Sequence, residues 1–305
     1  MKYLLLLSIV LVSLCSLCIQ LPDLTIPGLE SSGIVTTDMG SPDIFLNVET
    51  SSSQINSGRG VQVFVELRNK QAYDLNNVRF EVYDHVCFPD DINDIDKFVK
   101  DDCGDEGTLK GNRSCVWSWR WTSDPSEIDR QCSIKFLTSY EAENSVFQDI
   151  VVLSLNEYQQ KEMEGTLQSI PISSSNAKGP LNVYLSFPEP QPFIANLPEY
   201  AMDINYNNGG NGFFDNINID LTVPDNIELT KKEDEENYCG EFYEFTDSNT
   251  YQLDKELKFI KGRAVPSKCS FSTSPTATID IKSLSMDIDY TYTIYNSIPI
   301  TVMAK

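Results

Sequence analysis

The sequence predicts an all-β protein, two antiparallel β-sandwich domains in tandem. Three observations carry this. Short runs that alternate apolar and polar residues recur along the chain, beginning with IFLNVE at 44–49 and VQVFVELRN at 61–69, and a period of two is the period of a strand. Turn-forming residues separate these runs at short intervals. No long stretch repeats at the helical period, which leaves antiparallel sandwiches as the architecture that buries one face of each strand.

Residues 1–18 read as a signal peptide: Lys2 precedes an apolar stretch from Tyr3 to Leu14, broken only by Ser8 and Ser13. Three fates are open. Ser16 and Cys18 can serve as the small residues of an ordinary cleavage site, which releases a secreted soluble chain. Cys18 can instead become a lipid-bearing first residue, because LVSLCSLCIQ resembles the end of an archaeal or bacterial lipoprotein signal, although Leu17 departs from the small residue expected there. The segment can also stay uncleaved as a membrane helix, for which about 20 apolar residues are needed. Residues 19–42, rich in proline, glycine, serine and threonine, are expected to form a flexible tether.

The first domain is expected over 43–170. After the two opening strands comes a turn at Asp74–Asn77, where asparagine and aspartate bond their own backbone, and then a strand in VRFEVYDHV at 78–86. An insertion at 89–111 interrupts the rhythm, expected as an acidic loop that carries one or two helical turns, with Ile92, Ile95 and Val99 at helical spacing. It holds seven aspartates, and Asp94, Asp96, Asp101 and Asp102 are weak calcium candidates, since hard cations take carboxylate oxygens. Their spacing does not match a known calcium loop, and a plain solvated loop is the alternative. Next, CVWSWRWT at 115–122 places Cys115, Trp117, Trp119 and Trp121 on one face of a strand. That stripe is either sandwich core or an exposed platform for a glycan or peptide. CSIKFL at 132–137 and IVVLSL at 150–155 read as two strands. EYQQKEMEG at 157–165 reads as a helix capped by Asn156 and stopped by Gly165.

A linker at 171–180 leads to the second domain, 181–305. Its strands are read in LNVYLSF, YAMDINY, FFDNINIDLTV, ELKFIKG, KCSFST, LSMDIDYTYTIY and IPITVM, with NNGGNG at 207–212 as a hairpin loop. A glycine-rich phosphate cradle would need a helix after it, so nucleotide binding is rejected.

Composition narrows the function. Twenty-three basic against 45 acidic residues give a net charge of −22, which opposes a nucleic acid or an anionic membrane surface as partner. The one histidine, His85, makes a histidine-based catalytic pair or metal site improbable. Six cysteines follow Cys15 and Cys18, and export favours their pairing as disulfides. Cys239 is expected to pair with Cys269. Of the three pairings open to the first four, Cys87 with Cys132 and Cys103 with Cys115 is the one expected. Asn112-Arg113-Ser114 is an N-x-S sequon, which marks Asn112 for glycosylation if the host glycosylates.

The segment INSGRGVQVFVELRNKQAYDLNNVRFEVYD, with Asn69, Asn77 and Val78 around its turn, resembles the opening strands of the immunoglobulin-like, cell-adhesion-related (CARDB-like) domains of archaeal secreted and surface lipoproteins. LSMDIDYTYTIYNSIPITV, with Tyr290 and Tyr292, resembles their last two strands and final hairpin. The resemblance implies an extracellular sandwich used in adhesion or as a spacer, and it transfers no catalytic residue and no cofactor. The expectation is therefore a non-enzymatic cell-surface protein, anchored outside the cytoplasmic membrane or secreted. Its partners would be other surface proteins or an extracellular glycan or peptide. Alternatives are a glycan- or peptide-binding module using the tryptophan stripe and a surface filament subunit. An enzyme with paired carboxylates is a further class that so acidic a sequence does not identify.

Overall fold

In the computed structural model the described residues are 36–38, 42–89, 107–177, 179–197, 199–230, 239, 243–247 and 249–305. The first strands are β1 (Thr36–Asp38), β2 (Ile44–Thr50), β3 (Gln54–Asn56), β4 (Gly60–Asn69), β5 (Asn76–Asp84), β6 (Ser114–Thr122) and β7 (Arg130–Leu153). Helix α1 (Leu155–Glu164) follows, then β8 (Ser174–Ser175), β9 (Leu181–Ser186), β10 (Phe193–Ile194), β11 (Tyr200–Asn208) and β12 (Phe213–Thr222). Last come β13 (Ile227–Thr230), β14 (Tyr243–Asp247), β15 (Thr250–Leu253), β16 (Ser267–Thr273) and β17 (Ile279–Met303). Among the described residues the structure is mostly strand, with helix α1 and a short 3-10 turn at Leu167–Ser169 after it, and its pairing is mostly antiparallel.

Three sheets hold these strands. One has the order β1-β2-β4-β6 and another β13-β16-β11-β9; the large sheet between them is built on β7 and β17. Those two strands pair antiparallel from Arg130 opposite Val302 to Leu153 opposite Ile279 without a break in register. At a strand rise of about 3.3 Å per residue this ribbon is about 75 Å long. At one end β5 joins β7, and β3 joins β17 in parallel; at the other end β12 extends the sheet from β17 toward β15 and β14.

The sequence reading breaks this ribbon twice, and the structure does not. Residues 138–149 still alternate, with Thr138, Tyr140, Ala142 and Val146 buried. Their inward side chains are small or polar, so the hydrophobic contrast that marks a strand is weak there. Near the other break, Pro299 suggests a turn, yet it sits opposite Ser133 in the ladder. The Thr301 N–H donates to the Ser53 carbonyl at 2.8 Å, away from β7. Residue 299 faces that same side, so its missing N–H removes no bond to β7. The expected final hairpin is thus one continuous strand, and the hydrogen bonding of the large sheet runs across the linker expected at 171–180.

Three further readings are corrected. The end of the expected tether forms β1 on the edge of the first sheet, with Thr36 opposite Glu49. NNGGNG is no hairpin, because β11 pairs with β9 and β16 while β12 pairs with β17 and β15; the segment crosses between sheets, tied by the Tyr292 hydroxyl, which accepts from Gly212 N at 2.7 Å and donates to Asn208 at 3.1 Å. The expected strand at 256–262 is a loop with an isolated bridge between Ile260 and Arg263. Helix α1 is where the sequence puts a helix, but its cap is Ser154, whose side chain accepts from Glu157 N, and Gly165 ends it with φ 66°.

The core is continuous. Val61, Val63, Val65 and Leu67 of β4 face inward with Ile44, Leu46 and Val48 of β2. Across the gap they meet the large sheet, where Phe80 and Phe136 stack against the tryptophans of β6. At the other end Phe193 of the large sheet lies 4.5 Å from Tyr200 and 5.2 Å from Phe271, ring centre to ring centre.

Candidate functional site

The tryptophan stripe belongs to this core. Trp117 and Trp121 are buried, and Trp119 is half-buried between them at ring distances of 6.4 and 6.1 Å. Phe80 stacks on Trp119 at 5.9 Å with the rings 5° from parallel. A platform reading of Trp117, Trp119 and Trp121 is therefore corrected: period two turns all three toward the opposing sheet. Cys87 is bonded to Cys132 with Cα atoms 6.1 Å apart, and Cys239 to Cys269 at 4.7 Å. Cys115 is disulfide-bonded as well, while Cys103 lies outside the described residues. So do Cys18, the signal peptide and the calcium candidates Asp94, Asp96, Asp101 and Asp102. Asn112 is exposed in a tight turn at φ 57°, accessible to a modifying enzyme.

Asp43, which immediately precedes β2, is fully buried and holds three tyrosines that the sequence reading does not connect. Its Oδ1 accepts from the Tyr73 hydroxyl at 2.9 Å; its Oδ2 accepts from Tyr290 at 2.9 Å and from Tyr140 at 3.3 Å. Burial pushes the Asp43 carboxyl above its ordinary value, and the hydroxyl donors partly oppose that rise. The same burial, reinforced by the Asp43 charge, drives the Tyr73 and Tyr290 phenols far above theirs. Tyr140 and Tyr290 come from the middle of β7 and β17, and Gly179 packs on the same carboxylate: a Cβ there would meet the Tyr290 hydroxyl at 2.6 Å and both Asp43 oxygens at 2.8 Å. The node thus ties the start of β2 to the centre of the ribbon and to the segment entering β9. The one available signal was an acidic residue heading a buried strand.

Beside this node lies a groove of about 660 Å³ lined by Tyr73, Glu143, Asn144, Asp287 and Asp289, among others. Burial raises the Asp289 carboxyl, helped by the nearby charges of Glu143, Asp220 and Asp287. Among the described residues no three histidine, cysteine or acidic side chains converge closely enough to hold a metal ion. His85 is engaged locally, its Nδ1 3.1 Å from the Phe88 carbonyl oxygen. Among the described residues no helix is long and apolar enough to cross a membrane.

No family model matches the chain, and no curated protein does. Among solved structures a similarity is found to the secreted serine protease VesC from Vibrio cholerae, at 9% identity and a TM-score of 0.17, covering 87% of this chain and 50% of that one. The chain spans half the length of that protein, and so low a score carries no argument about fold or activity.

Proposed function

We propose that the chain is a non-enzymatic extracellular protein of the cell surface, with a structural or adhesive role, held to the outer face of the membrane through a lipid on Cys18. In this reading each end of the ribbon carries an immunoglobulin-like sandwich. The observation that carries it is the β7–β17 ribbon: two continuous strands, paired throughout, link both ends of the molecule through backbone hydrogen bonds. A hinge between sandwiches would lie on a few connecting residues; here β7 and β17 run through the junction as one unbroken ladder of 24 register pairs, and the Asp43 node is buried against its middle. Such a part suits a stiff spacer. The disulfides agree with an oxidising compartment.

Surface biotinylation of intact cells, with fractionation of wild type and Cys18→Ala, tests the proposal. Wild type should be labelled and remain with the membrane, and the variant should appear in the medium. A protein found inside the cell with reduced cysteines would refute the surface assignment. Equal membrane retention of both forms would refute the lipid.

A further inference from the structure

The outward face of the large sheet carries a second recess, of about 350 Å³, that none of the readings above uses. Strand register lays out its residues in rows. Glu81, Leu137 and Tyr295 form one row across β5, β7 and β17; Arg79, Ser139, Thr293 and Phe213 form the next, reaching β12. Beyond them stand Glu141 and Thr291. Between Phe214 and Asn216 the register shifts, and the additional residue is Asp215, which the bulge turns into the recess. Four adjacent strands span about 14 Å, and three rows about the same.

Two aromatic rings, Phe213 and Tyr295, line the recess, and a third, Tyr83, stands beside them. Tyr295 stacks on Phe213 at 5.2 Å and meets Tyr83 edge-on at 5.6 Å. The three are 48%, 38% and 47% exposed, a contiguous aromatic patch of the kind that monomers rarely leave in water without use. Around it stand groups that bond hydroxyls in pairs. Asn77 holds the Glu141 carboxylate at 2.5 Å, and Thr293 donates to Asp215, so both acids are oriented in advance. Arg79 and Glu81 have no ion-pair partner among the described residues.

We propose that this recess binds a neutral oligosaccharide, of about di- to trisaccharide size, on the face formed by β5, β7, β17 and β12. A pyranose has one apolar C–H face, which packs on an aromatic ring, and a rim of hydroxyls that both donate and accept. The recess offers rings, a guanidinium, carboxylates and the half-buried Ser139 and Thr291 hydroxyls within that span. A peptide added as a strand needs an unpaired sheet edge; β7 and β17, the floor of the recess, are flanked on both sides here, which leaves such a peptide only the outer edge of β5, away from the rings and acids of the recess. Three carboxylates against one guanidinium, in a chain of charge −22, repel sulfated or phosphorylated ligands. The site does not depend on the lipid at Cys18, so it is testable on the soluble mature chain.

The test is binding of the mature, disulfide-intact chain to an array of neutral, sulfated and sialylated oligosaccharides and control peptides, followed by titration calorimetry with the best neutral trisaccharide. Wild type should retain neutral glycans. Arg79→Ala and Tyr295→Ala should each weaken binding about tenfold or more, the equivalent of about 1.4 kcal/mol; Trp119→Phe, in the core, should leave affinity unchanged. Arg79 projects from the surface, so its variant keeps the fold and the test stands even if Tyr295→Ala unfolds. Retention of no neutral glycan would overturn the proposal. So would retention of only anionic glycans or peptides, or binding indifferent to Arg79→Ala.

Discussion

Removing the Asp43 carboxylate should destabilise the fold in a manner that depends on the replacement and on pH. An ionised carboxylate is an acceptor only, with room for all three tyrosine hydroxyls, and it receives them at 2.9, 2.9 and 3.3 Å. Asp43→Ala leaves two hydroxyls, Tyr140 and Tyr290, deep in the core without that acceptor. Each hydroxyl that loses this acceptor costs about 1–3 kcal/mol, less the desolvation that the lost charge no longer incurs, for a net loss of about 2–5 kcal/mol. Asp43→Asn keeps the shape and one acceptor oxygen, and a tyrosine can turn to accept from the amide, so its loss should stay within about 2 kcal/mol. The pH dependence runs as follows. Burial raises the folded-state pKa above the ordinary 3.8, so the folded chain binds the proton more tightly than the unfolded one. The resulting stabilisation is full below the ordinary value and is lost as pH rises through the folded-state value. Asp43→Asn has no such loss, so it should gain on wild type as pH rises from 3 toward neutrality. Carboxyls lowered by hydrogen bonds, such as Asp149 beside Ser283, act in the opposite sense but equally in both proteins. Denaturant unfolding followed by tryptophan fluorescence at several pH values measures the gap. A gap that is flat with pH, or Asp43→Ala as stable as wild type, would refute the buried, charged node.

Three other outcomes follow from the same geometry. Gly179→Ala should lose about 2 kcal/mol or more, measured by the same unfolding assay, because φ is +112° and the new Cβ meets Asp43 and Tyr290. Replacing Cys87 and Cys132 by serine opens a loop of 45 residues and should cost about 4 kcal/mol in the chain-entropy model, whereas removing Cys239–Cys269, with a separation of 30, should cost about 3.6 kcal/mol; midpoints of unfolding would show the order. Trp121→Ala, at 1% exposure between Trp119, Phe136 and Phe88, should cost about 3–5 kcal/mol, and an unaltered midpoint would count against a packed stripe.

The strands most legible in the sequence are those with strong contrast between their faces. VQVFVELRN places valine or leucine at every second position from Val61 to Leu67, with Gln62, Phe64, Glu66 and Arg68 facing the other way, and it forms β4 one residue longer than read. Where an inward position holds threonine, alanine or tyrosine, as at Thr138, Tyr140 and Ala142, the contrast fades although the strand persists. Pairing partners were illegible for a further reason: alternation assigns a face but no neighbour, so β11 and β12 looked like a hairpin while each pairs elsewhere. The Asp43 node lies in the same blind spot. Its members are separated by 30, 97 and 247 residues, and only the register of the ribbon brings Tyr140 opposite Tyr292, two residues from Tyr290.

The two polar features of the ribbon sit on opposite faces of the same strands, and this is a consequence of period two. Along β17, Tyr290, Tyr292 and Ile294 point into the core while Thr291 and Tyr295 point out. The inward tyrosines bind Asp43 and the 207–212 crossing, which fixes the middle of the ribbon. The outward residues line the recess next to that fixed point. A strand held on its buried face by hydroxyl bonds cannot slip by one residue without exchanging the two sets, so the buried node also holds the rows of the recess in place. Asp43→Ala should therefore weaken glycan binding even under conditions where the variant remains fully folded, with calorimetry at low temperature as the measurement. Unchanged affinity in a folded Asp43→Ala protein would show that the two faces are independent.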